Sequence, residues 1–96
     1  MQHRQTNLRP DYDWLLTLPQ WQAKRKEIIC RDGKQCRSCG CTNSLQVHHR
    51  QYHKLKATGK YKDPWAYDNS QLITLCNECH KAGHHYYTIP VFIVNH

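Results

Sequence analysis

The chain has no apolar run long enough to cross a bilayer. Its opening residues, Met1-Gln2-His3-Arg4-Gln5-Thr6, carry no apolar core of the kind a secretory signal needs. A cytoplasmic setting is therefore expected, where disulfides are rare and paired cysteines usually hold metal. No amphipathic segment offers a membrane-surface role. There is no internal repeat, no low-complexity stretch and no linker dividing two domains. Acidic residues are also scarce, with 7 Asp and Glu against 14 Lys and Arg and a formal charge of +7. A small domain this basic implies an anionic partner, with nucleic acid ahead of anionic membrane.

What is present fits a single small domain of 96 residues. A domain of this size buries a limited fraction of its surface and often needs an extra staple. Six cysteines are available to provide one. Residues 1–19 read as an extended or irregular arm, partly ordered by Tyr12, Trp14 and Leu15, and residues 20–96 as the domain proper. Pro19 suits the first turn of a helix, Gln20 to Arg31 favour helix, and Gly33 is its expected stop. Trp21, Ile28 and Ile29 would share one face. Leu45 to His49 alternates as a short strand, and Leu72 to Leu75 reads as a second. Between them, residues 50–70 form a long basic and aromatic connection, of a length that is usually functional. A short helix should follow Cys76, weakened or ended by Gly83. Thr88 to Val94 reads as a strand, which Pro90 would place at an edge or bulge. The fold class is α+β.

Cys36-x-x-Cys39 and Cys76-x-x-Cys79 are two metal-knuckle pairs. Two thiolates at this spacing grip one ion, and two knuckles complete an all-sulfur tetrahedral shell. That shell suits zinc, and closed four-ligand sites are structural rather than catalytic. Disulfides conflict with a cytoplasmic setting, and an iron–sulfur cluster lacks supporting context. Cys30 and Cys41 fall outside the pairs and are read as ordinary thiols.

His48-His49 closes the first strand, His80 directly follows the last paired cysteine, and His84 lies four residues later on the same helical face. The zinc staple would bring these groups together. Neutral imidazole binds divalent metals and also moves protons near neutral pH, and phosphodiester hydrolysis uses both services. Adjacent strand residues point to opposite faces, so His48 and His49 should divide the labour.

Taken together, these residues resemble an HNH endonuclease of the zinc-stapled kind. The shared pattern runs from the helix through Cys36-x-x-Cys39-Gly40, Leu45-Gln46-Val47-His48-His49, Trp65, Leu72-Ile73-Thr74-Leu75-Cys76 and Cys79-His80, covering roughly residues 21–85. The resemblance implies a ββα-metal core of two strands, a long connection and a helix gripping one catalytic divalent metal. It implies His49 as general base, His48 and His80 as ligands of that metal, and His84 as a further ligand. The family's middle Asn, which orients the base, normally stands directly before the second strand. Gln71 holds that place here, with Asn69 two residues earlier, and either amide is a candidate.

The implied reaction is metal-assisted hydrolysis of DNA phosphodiesters, with His49 taking a proton from water and the metal stabilising the leaving group. Imidazole ligands suit Mn, Ni or Zn, whereas Mg prefers oxygen ligands. DNA contact is expected mainly through phosphates, at Arg50, Lys54, Lys56, Lys60 and Lys62, with weak sequence specificity. Some of Tyr52, Tyr61, Trp65 and Tyr67 are candidates to stack on bases, with Trp65 better suited to the core. A monomer or a dimer fits. Two rival readings are a noncatalytic zinc-dependent nucleic-acid-binding module, which the Gln71 departure favours, and an interaction domain that uses zinc only to fold.

Overall fold

The computed structural model describes residues 12–86 and 88–95, with side chains left out at residues 84–86. Its helices and strands are mixed. In chain order they are α1 (Tyr12–Leu15), α2 (Pro19–Arg31), β1 (Leu45–His49), β2 (Tyr52–Leu55), β3 (Leu72–Cys76), α3 (Asn77–Tyr86) and β4 (Val91–Val94), with a 3-10 turn at Asn69–Gln71 before β3.

Helix α2 begins where Pro19 can occupy a position that needs no backbone donor. It ends in a two-bond C-terminal cap. Gly33 N donates to Cys30 O at 3.1 Å and Lys34 N to Ile29 O at 2.9 Å. Gly33 has a φ of 74°, the left-handed conformation that such a cap requires and that a side chain would disfavour. Trp21 and Ile28, two turns apart, bury one face of the helix.

That face packs on the sheet formed by β1 and β3. The two strands pair antiparallel, with Leu45 opposite Cys76, Val47 opposite Thr74 and His49 opposite Leu72. Alternation then decides what each face carries. Val47, Leu72 and Thr74 face α2 and join Trp21, Ile28 and Tyr67 in the core. Gln46 and His48 face the other way, toward α3, where Gln46 Nε2 donates to Asn77 Oδ1 at 3.1 Å. The sheet is therefore covered by α2 on one side and α3 on the other.

A second apolar cluster gathers Tyr12, Leu15, Tyr52 and Tyr61, with Trp65 and Ile89 packed against it. Here β2 pairs in parallel with β4, Tyr52 beside Val91 and Leu55 beside Val94. The long connection is thus partly strand, which its basic composition concealed. The tail strand is shorter than the expected Thr88 to Val94: β4 begins at Val91, directly after Pro90, whose carbonyl accepts from Tyr52 N at 2.9 Å.

Two local expectations need correction. Gly83 neither ends nor interrupts α3, which continues to Tyr86. A helical glycine costs about 1 kcal/mol relative to alanine, which packing of the helix against the sheet offsets. The part of the arm that is described is not extended: Tyr12–Leu15 is a helical turn that buries Tyr12 and Leu15. Residues 1–11 of the expected arm lie outside the described residues.

Asp32, at the end of α2, bolts the helix to the sheet. Its carboxylate is buried and accepts from Thr74 N on β3 at 2.9 Å, from Arg31 Nε at 2.8 Å and Nη2 at 2.9 Å, and from Arg37 Nη1 at 3.3 Å. Arg31 also donates to the carbonyls of Asn69 and Leu72. Burial alone would raise the Asp32 carboxyl, but the hydrogen bonds from Arg31 and Thr74 outweigh it and hold the group at about 2. A carboxyl depressed in the folded state stabilises it above the ordinary carboxylate range, and the contribution is lost as pH falls through the depressed value. The guanidinium partners are partly hydrated, so the gain is at most about 2 kcal/mol. Asp32→Asn should lower unfolding free energy by about that amount near neutral pH, and the gap to wild type should narrow below about pH 3. Denaturant titrations of both proteins across pH would check this, and a gap that does not change with pH would contradict it.

Candidate metal centres

The first knuckle is shaped by backbone hydrogen bonding. Cys36 N donates to Cys41 O at 2.7 Å, and Gly40 N to Cys36 O at 2.9 Å. The amides of Ser38 and Cys39 both point at Cys36 Sγ from 3.4 Å. Gly40 has a φ of 82°, which closes the turn. Arg37 N donates to Thr74 O at 3.0 Å, docking the knuckle on β3. The second knuckle lies at the junction of strand and helix, with Cys76 the last residue of β3 and Cys79 in the first turn of α3.

The four sulfurs, from Cys36, Cys39, Cys76 and Cys79, lie within 4.8 Å of one another, and those of Cys39 and Cys76 are 3.7 Å apart. Sulfurs placed tetrahedrally around zinc at about 2.3 Å are about 3.8 Å apart, so the cluster could hold a metal ion such as zinc. Burial pushes the Cys36 thiol up, but the backbone amides of Cys39, Cys76 and Ser38 bring it down to about 6. At Cys39 the Cys41 amide favours the thiolate, yet the crowded neighbouring sulfurs dominate and push it up to about 12. Four thiols this close cannot all ionise without a cation to offset their repulsion. Cys30 and Cys41 fall outside the group, and Cys41 Sγ instead contacts the backbone of Asn43.

The histidines separate by strand face. His48 points toward α3, and its ring stands edge-on to that of His80, with centroids 5.1 Å apart and planes at 77°. His80 directly follows Cys79, so the four-sulfur cluster and the imidazole pair share the start of α3. The backbone of His84 continues α3 one turn beyond His80, and its side chain lies outside the described residues.

His49 faces the opposite way and is 5% exposed. Its ring is stacked between Trp21, 5.2 Å away, and Tyr52, 5.3 Å away, with Tyr67 edge-on at 4.9 Å. Its Nε2 lies 3.0 Å from Pro64 O. A carbonyl only accepts, so Nε2 carries the proton and Nδ1 is the basic nitrogen of the neutral ring. Burial lowers the pKa of His49 to about 4, against the smaller opposing effect of the Pro64 carbonyl.

Neither candidate amide meets this ring. Gln71 Oε1 accepts from Asp68 N at 3.1 Å and closes the 3-10 turn. Asn69 is held by α2, accepting from Lys24 Nζ at 2.6 Å and donating to Glu27 Oε2 at 2.9 Å.

Of the expected phosphate contacts, Arg50, Lys56 and Lys60 are exposed. Lys54 Nζ lies 5.7 Å from the Tyr61 ring centre, and Lys62 Nζ 5.3 Å from that of Tyr67. Tyr52, Tyr61 and Tyr67 are buried and cannot receive a base, which corrects the expectation for the loop aromatics. Trp65 packs against both apolar clusters. Two groups escaped the sequence reading. Asp32 had a signal, because a carboxylate at a helix C-terminus opposes the dipole unless cations or amides hold it. The ring frame around His49 had none, because Trp21, Tyr52, Pro64 and Tyr67 converge only in three dimensions. Among the described residues, no helix is long and apolar enough to cross a membrane.

No family model, curated protein or solved structure matches this chain.

The purified protein should carry one zinc per chain by elemental analysis. Cys39→Ser should lose that metal together with cooperative unfolding, while Cys30→Ser and Cys41→Ser keep both. Retention of zinc by Cys39→Ser, or its loss from either of the other two variants, would redraw the ligand set.

Proposed function

We propose that this protein is a metal-dependent endonuclease of the HNH type that hydrolyses DNA phosphodiester bonds. The observation that carries the reading is the meeting of His48 and His80, from a strand and a following helix, beside the four-cysteine cluster. The antiparallel β1–β3 pair followed directly by α3 has the element order that a ββα-metal core requires.

In this reading the four cysteines hold structural zinc, and His48 and His80, with His84 one turn further along, hold a second divalent ion. Such an ion would supply electrostatic stabilisation of the charge that develops in phosphodiester hydrolysis. His49 accepts the proton of the attacking water at Nδ1, its tautomer set by the Pro64 carbonyl rather than by a side-chain amide. Arg50, Lys54, Lys56, Lys60 and Lys62 neutralise DNA phosphates with little sequence preference. One such site cuts one strand, so a double-strand break needs two copies or two encounters.

The burial of His49 favours one second reading, a noncatalytic zinc-dependent nucleic-acid-binding module. A ring at 5% exposure within three aromatic neighbours is also a sound core residue.

Nicking of supercoiled plasmid by the zinc-loaded protein, supplied with Mg, Mn or Ni, separates the two. Wild type should nick with at least one metal. His48→Ala, and separately His49→Ala, should lose about 100-fold or more in rate while keeping zinc. The half-buried His48 guards against a result that reflects only a damaged core at His49. A folded, zinc-loaded wild type that is inert with all three metals would transfer the assignment to the binding module.

A further inference from the structure

The paired strands β2 and β4 carry an exposed aromatic ring that the proposed function does not use, beside cations that it does. His53 and Phe92 are register partners in parallel strands and so share one face of the ribbon. Their rings meet edge-on at 6.2 Å and 85°. Phe92 is 48% exposed, and an edge-on neighbour covers at most one face of its ring. His53 in turn lies 5.0 Å from Tyr67, whose ring carries Lys62 Nζ at 5.3 Å. Tyr67 also touches His49, at 4.9 Å. Consecutive ring contacts thus lead from the candidate base out to the open face of Phe92.

The segment that supplies β2 carries charge of one sign. Arg50, Lys54, Lys56, Lys60 and Lys62 fall within residues 50–62, where no carboxylate occurs, and residues 88–95 carry no charge. The next acids are Asp63 and Asp68, and the charge of Asp68 reaches His53.

We infer that the β2–β4 face binds an unpaired nucleotide, its base stacked on Phe92 and its flanking phosphates held by Lys62 and the neighbouring cations. An open π-face with the Lys62 ammonium two ring contacts away, on Tyr67, matches the two needs of a single strand, whose bases stack and whose backbone is anionic. A duplex hides its base faces and can use only the cations. A second copy of the chain, meeting this face through the uncharged edge of β4, is the competing occupant, and variants at Phe92 distinguish it. The inference rests on the nucleic-acid-binding part of the proposed function and not on catalysis.

Fluorescence anisotropy without added divalent metal tests it, using a labelled mixed-sequence single strand of about 15 nucleotides and the same strand annealed to its complement. Phe92→Ala should weaken single-strand binding about tenfold or more and leave duplex binding within about twofold, while Phe92→Trp retains wild-type affinity. Phe92 is half exposed, so both variants should keep zinc and fold. Equal losses on both probes, no loss on either, or a Phe92→Trp variant as weak as Phe92→Ala would overturn the inference. A Phe92→Ala variant that loses self-association instead of affinity would overturn it in favour of a dimer face. If wild type nicks plasmid yet Phe92→Ala binds single strands normally, only this inference falls. If wild type binds neither probe, the nucleic-acid reading falls with it.

Discussion

Repulsion among four sulfurs is the constraint around which the rest of the molecule is arranged. Cys36 and Cys39 come from a turn after α2, and Cys76 and Cys79 from the junction of β3 and α3. Their sulfurs lie within one coordination shell of each other. A divalent cation held there would convert that crowding into a crosslink between parts of the chain roughly forty residues apart. In a chain of 96 residues, whose burial is limited, such a crosslink would contribute much of the folding free energy. It would also pin the junction of β3 and α3, and with it the position of His80.

The other fastenings act near the same point. Asp32 ties the end of α2 to β3, and Arg37, beside Cys36, hydrogen-bonds both Asp32 and the backbone of Thr74. The cluster, the buried carboxylate and the sheet thus share a small set of groups. Damage to one is expected to be felt at the others, because neighbouring interactions are not additive.

The β1–β3 sheet separates two chemical environments by strand alternation alone. On the α3 side, His48 meets His80 close to the sulfurs. On the α2 side, His49 is enclosed by Trp21, Tyr52 and Tyr67, with its proton directed to a backbone carbonyl. Adjacent residues of the same type therefore differ in hydration and in the nitrogen they can offer. This division places one histidine against a second imidazole and the other where its tautomer is fixed.

Local chemistry made several features legible from the chain alone. The α2 boundaries followed from Pro19 and Gly33, the strands from short alternating or apolar runs at Leu45 to His49 and at Leu72 to Leu75 (one residue short of the observed end), and the cysteine quartet from its spacing. These depend on backbone preference and on ligand geometry, which act over a few residues. Partner choice was not legible, because it depends on which distant groups the fold brings within hydrogen-bonding range. Gln71 and Asn69 are well placed in sequence to meet His49, yet the 3-10 turn takes one and α2 the other. The tyrosines of the long connection read as a surface but fill the core, while Phe92, in a tail with no other aromatic, stands open to solvent. Sequence determined α2, the β1 and β3 strands and the cysteine quartet, since those are written in local propensity and spacing. Only the tertiary structure decided which face each ring occupies and which group holds it, since burial and long-range pairing exist only once the strands are in register.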